Sequence, residues 1–340
     1  MADELKGLHP PCPSIQLPPA APAATLYLTC SRYLPPMRPE LAQAADLLRR
    51  NTPEAVEEAI ALLQNTVYSF SMKVCGHPED AEDTMQEVLY RSLGHLARIE
   101  DPQALAVWLY TVTRNRCWRM RRKSANAPRS AFSLDELMPD DAELGRLLQD
   151  AAESPEGNLL HAERHQQLRQ AVLRIPAPLR MVLVLHDMEE LSTEQVAKVL
   201  SLQAGTVRVR LHRARLSVRR EMSRMLEGAS LSNQPVAPRN GAKKLPARHR
   251  PAACREVFSN LSEYLDGTME PRSCEQMRAH IEACPACVAF LRSLREAIDR
   301  CRRLDVPCDP AVAGRLRGLL TQEYLRMLGM AGQEKFSPAL

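Results

Sequence analysis

The 340-residue chain is 45% hydrophobic but only 4% aromatic, enough apolar material for two or three small cores and too few aromatics to fill sheets. Its 45 Lys and Arg against 41 Asp and Glu leave a formal charge of +4, so total charge does not announce nucleic acid and the distribution must be read instead. Leu, Ala, Arg, Glu and Met dominate and β-branched runs bounded by turn residues are nearly absent, which predicts an all-α chain. Asp3 and Glu4 offset Lys6, and Pro18, Pro19 and Pro22 break the apolar residues that follow, so no secretion signal is expected. No uncharged apolar run approaches the ~18 residues of a membrane span. The chain is expected in the cytoplasm and off the membrane, and its ten cysteines are expected as reduced thiols or metal ligands.

Residues 1–40, rich in Pro and Ala, read as a disordered tail. From 41 to 124 the pattern is helical: Ala55, Ala59, Leu62, Leu63 and Val67 mark one amphipathic face, and Met85, Val88, Leu89 and Leu96 another. This module ends in a basic block of Arg114, Arg116, Arg119, Arg121, Arg122 and Lys123. Residues 125–157 hold Asp135, Glu136, Asp140, Asp141, Glu143, Asp150, Glu153 and Glu156 against few cations, broken by Pro128, Pro139 and Pro155, and read as an acidic linker. A second helical module covers 158–228, a Pro-bearing linker 229–252, a cysteine cluster 253–304, and an amphipathic helix with a tail 305–340. In that last stretch Leu316, Leu319, Leu320, Tyr324, Leu325 and Leu328 form a stripe suited to packing on the preceding modules.

In the second module Ser192 and Gln195 fit a capping box, so a helix should begin there and carry Val196, Ala197 and Leu200. After a break at Ser201-Leu202-Gln203, a longer helix from Ala204 to about Arg220 places Val207, Leu211 and Ala214 inward. Arg208, Arg210, His212, Arg213 and Arg215 are left for its other faces. A short helix, a tight turn and an Arg-rich helix form a helix-turn-helix suited to a major groove. The guanidinium fork bonds guanine edges in pairs or clamps phosphates, which makes Thr206, Arg208, Arg210, Arg213 and Arg215 the candidate DNA contacts here.

The stretches Leu173-Arg174-Ile175-Pro176, Leu191-Ser192-Thr193-Glu194-Gln195-Val196-Ala197 and Gly205-Thr206-Val207-Arg208-Val209-Arg210-Leu211-His212-Arg213-Ala214-Arg215 resemble the promoter-reading C-terminal region of sigma-70 family factors, of the extracytoplasmic-function type. That resemblance implies binding to the minus-thirty-five element and to the flap of the polymerase β subunit. Two positions depart from the family pattern: Ser201 stands where Gly is frequent, and Gln203 where Ser is. A Ser at a turn with positive φ costs a few tenths to ~1 kcal/mol, and a lost cap about as much.

The first module resembles the promoter-melting region of the same family. Ala81-Glu82-Asp83-Thr84-Met85-Gln86-Glu87-Val88-Leu89 is similar to the helix that docks on the β′ coiled coil of core RNA polymerase, which makes Glu82, Asp83, Gln86 and Glu87 the implied polymerase contacts. Trp108-Leu109-Tyr110 followed by Arg114-Asn115-Arg116 and Arg121-Arg122 resembles the helix that grips the minus-ten element. Arg114, Asn115, Arg119, Arg122 and Lys123 are its implied DNA contacts, and the loop from about His95 to Leu105 is the implied pocket for an unstacked base. Trp108 reads as core. The acidic linker is implied to thread toward the polymerase active-centre cleft.

Cys254, His280, Cys284 and Cys287 give Cys-x25-His-x3-Cys-x2-Cys, a donor set suited to one closed tetrahedral zinc, with ferrous iron and copper as lesser alternatives. His280 and Cys284 lie one helical turn apart, and Pro285 is expected to end that turn and leave Cys284 and Cys287 as a tight hook. Cys274 is near enough in sequence to replace Cys254. Phe258, Leu261, Leu265, Ile281 and Leu291 are the expected core. The cluster, with Leu261-Ser262-Glu263-Tyr264-Leu265-Asp266-Gly267, resembles a zinc-binding anti-sigma domain, so the ion is either structural or released when thiols oxidise, with Cys274, Cys301 and Cys308 as available partners.

The chain therefore reads as a sigma factor that directs core RNA polymerase to promoters and is regulated in cis by a fused zinc domain, which can contact the sigma domains. Without a nucleophile, base and oxyanion-hole set or a Gly-rich phosphate loop, no enzymatic activity is expected. His77, His95 and His186 read as surface or core histidines. A helix-turn-helix repressor or activator would have no use for the docking helix, and an anti-sigma scaffold none for the DNA-reading arginines.

Overall fold

A computed structural model of the chain describes residues 38–96, 99, 101–121, 137, 143, 161–226 and 252–329, and among them no strand occurs. The Pro- and Ala-rich tail, nearly all of the acidic linker, the second linker, and Arg122 and Lys123 lie outside the described residues, as does part of the loop expected to capture a base. Twelve α-helices are present among those described. They fall into two compact units, one made of residues 38–121, 161–226 and 298–329 and a smaller one of residues 252–297.

The larger unit begins with α1 (Pro39–Arg50) and α2 (Pro53–Cys75). Each has Pro in its first turn, where a missing N–H costs nothing, and the Thr52 side chain accepts the Ala55 N–H at 3.3 Å to cap α2. Ala55, Ala59, Leu63 and Val67 are buried as their spacing predicts, while Leu62, expected on the same face, is half-buried. α2 stops at Gly76, whose φ of 86° favours glycine and whose N–H donates to the Met72 carbonyl. A Cβ there would also lie 2.8 Å from Leu173 Cδ1, so any side chain would have to displace that methyl as well as adopt a strained φ. α3 (Pro78–Leu96) and α4 (Pro102–Arg121) complete a four-helix group around α2. Met85, Val88, Leu89 and Leu96 are buried between them.

The second group holds α5 (His161–Arg174), α6 (Ala177–Leu183), a π-helical turn at Val184–Met188, α7 (Thr193–Leu200) and α8 (Ala204–Leu226). The capping box of α7 is complete: Ser192 Oγ accepts the Gln195 N–H at 3.2 Å and Gln195 Oε1 accepts the Ser192 N–H at 2.8 Å. Ser201 ends α7 in the left-handed region at φ 54°, the conformation that makes Gly frequent at such a position. Val207, Leu211 and Ala214 of α8 are buried against α5, α6 and α7.

The two groups are packed on each other within this unit, α2 touching α5, α6 and the π-turn, and α4 touching α7. Arg180, fully buried, donates from Nη1 to the Val74 carbonyl at 2.7 Å. Arg169 Nη2 donates to the Gly76 carbonyl at 3.1 Å. The expected amphipathic C-terminal helix, α12 (Pro310–Met327), lies along α2 and α3. Ala313, Leu320 and Tyr324 are its buried residues while Leu319 is exposed, and Gln64 Nε2 donates to the Ala313 carbonyl at 3.2 Å.

The smaller unit is built from α9 (Ala252–Leu265), α10 (Pro271–Ala283) and the greater part of α11 (Pro285–Arg302), whose last turn belongs to the larger unit. Phe258 and Phe290 meet edge to face with centroids 4.8 Å apart. Leu261, Ile281 and Leu291 are buried in the same unit, as are Val257, Tyr264, Met277 and Leu294, and Leu265 is half-buried.

Candidate metal centre and nucleic-acid interface

Four side chains converge in the smaller unit. The ligand atoms of Cys254, His280, Cys284 and Cys287 all lie within 4.8 Å of one another, and His280 Nε2 stands 3.4 Å from both Cys254 Sγ and Cys287 Sγ. Zn–S bonds of about 2.3 Å and Zn–N bonds of about 2.0 Å require tetrahedral edges of roughly 3.5–3.8 Å, so the donors present fit one four-coordinate ion with small inward movement. Cys254 sits in the first turn of α9, His280 in the last turn of α10, Cys284 just beyond it in extended conformation, and Cys287 in the first turn of α11.

Pro285 therefore does more than end a helix. It occupies the first position of α11, so the Cys-x2-Cys pair spans a junction between two helices instead of forming a free hook. Burial opposes ionisation of Cys284, but hydrogen bonds from the Cys287 backbone and thiol and from Cys254 outweigh it and bring its thiol below the ordinary range. Burial together with the neighbouring sulfurs pushes Cys287 up. Shared thiol protons of this kind are what a cation displaces on binding. Cys274 is buried and is not one of the four, so the geometry selects Cys254. Cys301 and Cys308 are buried in the other unit.

On α3, Asp83 and Gln86 are exposed while Glu82 and Glu87 are half-buried. Glu87 forms ion pairs with Arg91 at 3.0 Å and with Arg116 of α4 at 2.6 Å. The exposed row continues into Tyr90, 65% exposed, which charge-based reading passed over. On α4, Asn115 is exposed, and the Arg114 guanidinium lies 5.6 Å over the exposed Trp118 ring and donates to the Val199 carbonyl of α7 at 2.7 Å. Arg119 falls on the same helix. Trp108, expected as core, is half-buried with its ring 5.1 Å from that of His95.

On α8, Thr206 and Arg208 are exposed and Arg210 and Arg213 half-buried. Arg215 corrects the sequence reading, because it is fully buried and faces no DNA. Its Nε and Nη2 donate to the two oxygens of Asp187 at 2.7 and 2.6 Å. His212 is buried as well. The reason is that α5 and α6 cover the C-terminal half of α8 on more than its inner stripe, and the π-turn supplies Arg215 with a carboxylate. Burial works against the charge of Asp187, but the Arg215 guanidinium and the His186 imidazole outweigh it and hold the carboxyl well below the usual range. His186 is thus a buried histidine whose Nδ1 lies 2.9 Å from Asp187. The free surface of α8 is its first two turns, where Val209, 54% exposed, stands among Thr206 and Arg208.

A helix-turn-helix joined to a helical group with an acidic row and a basic helix defines a DNA-binding transcription protein. Residues 59–127 match the family Sigma-70 region 2, residues 165–218 match Sigma-70, region 4, and residues 254–287 match a zinc-finger family. The chain is 32% identical over 183 residues to the RNA polymerase sigma-E factor of Streptomyces coelicolor, covering 52% of this chain and 92% of that protein. It is 24% identical over 178 residues to the ECF RNA polymerase sigma factor SigW of Bacillus subtilis, again 52% and 92%, and 27% identical over 139 residues to the ECF sigma-E factor of Escherichia coli K12, 41% and 72%. The chain belongs to the sigma-70 family of transcription initiation factors, in its extracytoplasmic-function group, and carries a Cys/His cluster in an appended segment of zinc-finger type. No helix among the described residues is long and apolar enough to cross a membrane.

Proposed function

We propose that this chain loads onto core RNA polymerase in the cytoplasm, directs it to promoters, and is controlled in cis by its own zinc-holding module. The observation that carries the reading is the coexistence, in one helical unit, of an acidic and amide row on α3 and an arginine-bearing recognition helix α8. Glu82, Asp83, Gln86 and Glu87 are the residues for the β′ coiled coil. Arg114, Asn115, Arg119, Arg122 and Lys123 serve the minus-ten element, and Thr206, Arg208, Arg210 and Arg213 the minus-thirty-five element, with the β flap on the same lobe. Val209, placed among them, suits a thymine methyl group. In the appended module Cys254, His280, Cys284 and Cys287 would hold zinc, which supplies a closed N and S ligation joining three helices.

Co-elution of the full chain, and of a version ending at Glu227, with bacterial core RNA polymerase in zinc-replete buffer tests this reading. Binding of both forms supports polymerase loading and puts the action of the zinc module elsewhere, and binding of the short form alone supports control in cis by masking of the docking surface. Binding of neither, where a known sigma factor binds, would replace it with a repressor that acts on duplex DNA without polymerase and with steep salt dependence.

A further inference from the structure

Glu189 is a buried carboxylate that no part of the promoter-reading surface uses. It leaves the π-turn of the second helical group and is inserted, fully buried, among residues of the first. Oε1 accepts from Lys73 Nζ of α2 at 2.9 Å, and Oε2 from the Tyr110 hydroxyl of α4 at 2.7 Å. Arg38, ahead of α1, pairs with Oε2 at 3.3 Å and donates to the adjoining Met188 carbonyl from Nε and Nη2 at 3.1 and 2.8 Å. Lys73 is also fully buried. One acceptor from one lobe thus gathers three donors from separate segments of the other.

We infer that Glu189 is a latch holding the two DNA-reading lobes against each other, and that this closed state must open before both can engage promoter DNA. The inference rests on the sigma-factor reading. In the closed state Arg114 of α4 is committed to the Val199 carbonyl of α7, so a group assigned to one promoter element is covered by the helix-turn-helix assigned to the other. Elements named minus ten and minus thirty-five stand on the order of 85 Å apart at 3.4 Å per base pair, and two lobes in mutual contact cannot reach both. The chemistry suits a reversible contact. A buried ion pair gives back much of its attraction as desolvation, so Lys73 and Glu189 favour the closed state by a modest margin and are readily taken up by water once it opens. A purely apolar contact would instead expose hydrophobic surface each time it opened.

The test uses the full chain in zinc-replete buffer, with genetically encoded azido residues at the exposed positions Glu57 of α2 and Glu194 of α7 carrying a fluorescence donor and acceptor. Transfer should be high in the free chain and fall when core polymerase and promoter DNA are added. Glu189→Gln should move the free chain more than tenfold toward the open form. Tyr110→Phe, which keeps the ring packed 5.2 Å from Phe70 and deletes only one donor, should move it by about three- to tenfold. Low transfer in the free wild-type chain overturns the latch, and so does wild-type transfer in a Glu189→Gln variant of native helicity. Should that variant lose helicity, Tyr110→Phe decides, and unchanged transfer overturns the inference. A chain whose free-state transfer responds as stated to both variants, yet which never binds polymerase, sustains the latch and sinks the sigma reading instead.

Discussion

Arg208 and Arg215 are seven residues apart on one helix, roughly two turns and so nearly one stripe, yet the first is exposed and the second fully buried. Sequence spacing cannot separate them, because the stripe passes from solvent into the packing of α5 and α6 partway along its length. The consequence is energetic. Arg215→Met leaves Asp187 buried and short of a partner, and should cost about 3–5 kcal/mol, measured by urea unfolding at neutral pH, while Arg208→Met should change stability by less than ~0.5 kcal/mol and act on promoter affinity. Because the Asp187 carboxyl is held below its ordinary value, its contribution is complete above an unfolded pKa of about 3.9 and is lost as pH falls through the lower folded value. Without Arg215, burial favours the protonated form of Asp187, so the variant regains stability as pH falls and its gap from wild type should be widest near pH 7 and shrink steadily as pH approaches and passes the ordinary carboxylate range. At Ser201 the sequence departure and the observed φ of 54° agree, so Ser201→Gly should raise stability by about 0.5–1 kcal/mol, visible as a higher thermal midpoint.

At the level of elements, local signals that rest on short-range hydrogen bonds were readable in advance. The Ser192 and Gln195 capping box formed with both bonds, and the buried faces of α3 and of the first half of α2 follow a 3–4 spacing, whereas Thr66 to Val74 of α2 are buried on all sides. The metal cluster was readable because ligand spacing reports a local junction, although the role of Pro285 as the start of a helix needed coordinates. The π-turn had no signal at all. Val184–Met188 belongs to a run, 179–189, that is buried without a break and carries Arg180, His186, Asp187 and Glu189 among its apolar residues, and periodicity vanishes where all faces are covered; with it Glu189 went unread. For the zinc module the expectation is one ion per chain by plasma mass spectrometry. Cys254→Ser or His280→Ala should abolish it and Cys274→Ser keep it, and chelation should reduce far-UV helicity by melting α9 and α10.

For the whole molecule, the packing of the two sigma segments into one unit was not readable from sequence. The pairing depends on contacts between residues more than a hundred positions apart, such as Lys73 with Glu189. The amphipathic stripe of α12 was visible, whereas its seat along α2 and α3 was not. Removing residues 305–340 uncovers the surface that Leu320 and Tyr324 bury, and should lower the stability of the larger unit by about 2–4 kcal/mol, measured by the urea midpoint of the shortened chain. The π-turn also sets an angular phase for everything after it. Each residue of a helix turns the chain by about 100°, and a π-turn absorbs one extra residue within a helical path. Deleting a single residue from 184–188 should therefore let the turn close as ordinary α-helix, with Glu189 and the helix-turn-helix kept near their present phase. Adding a residue there finds no slack left to take it up, and should swing Glu189 and the helix-turn-helix about the axis of α6 together.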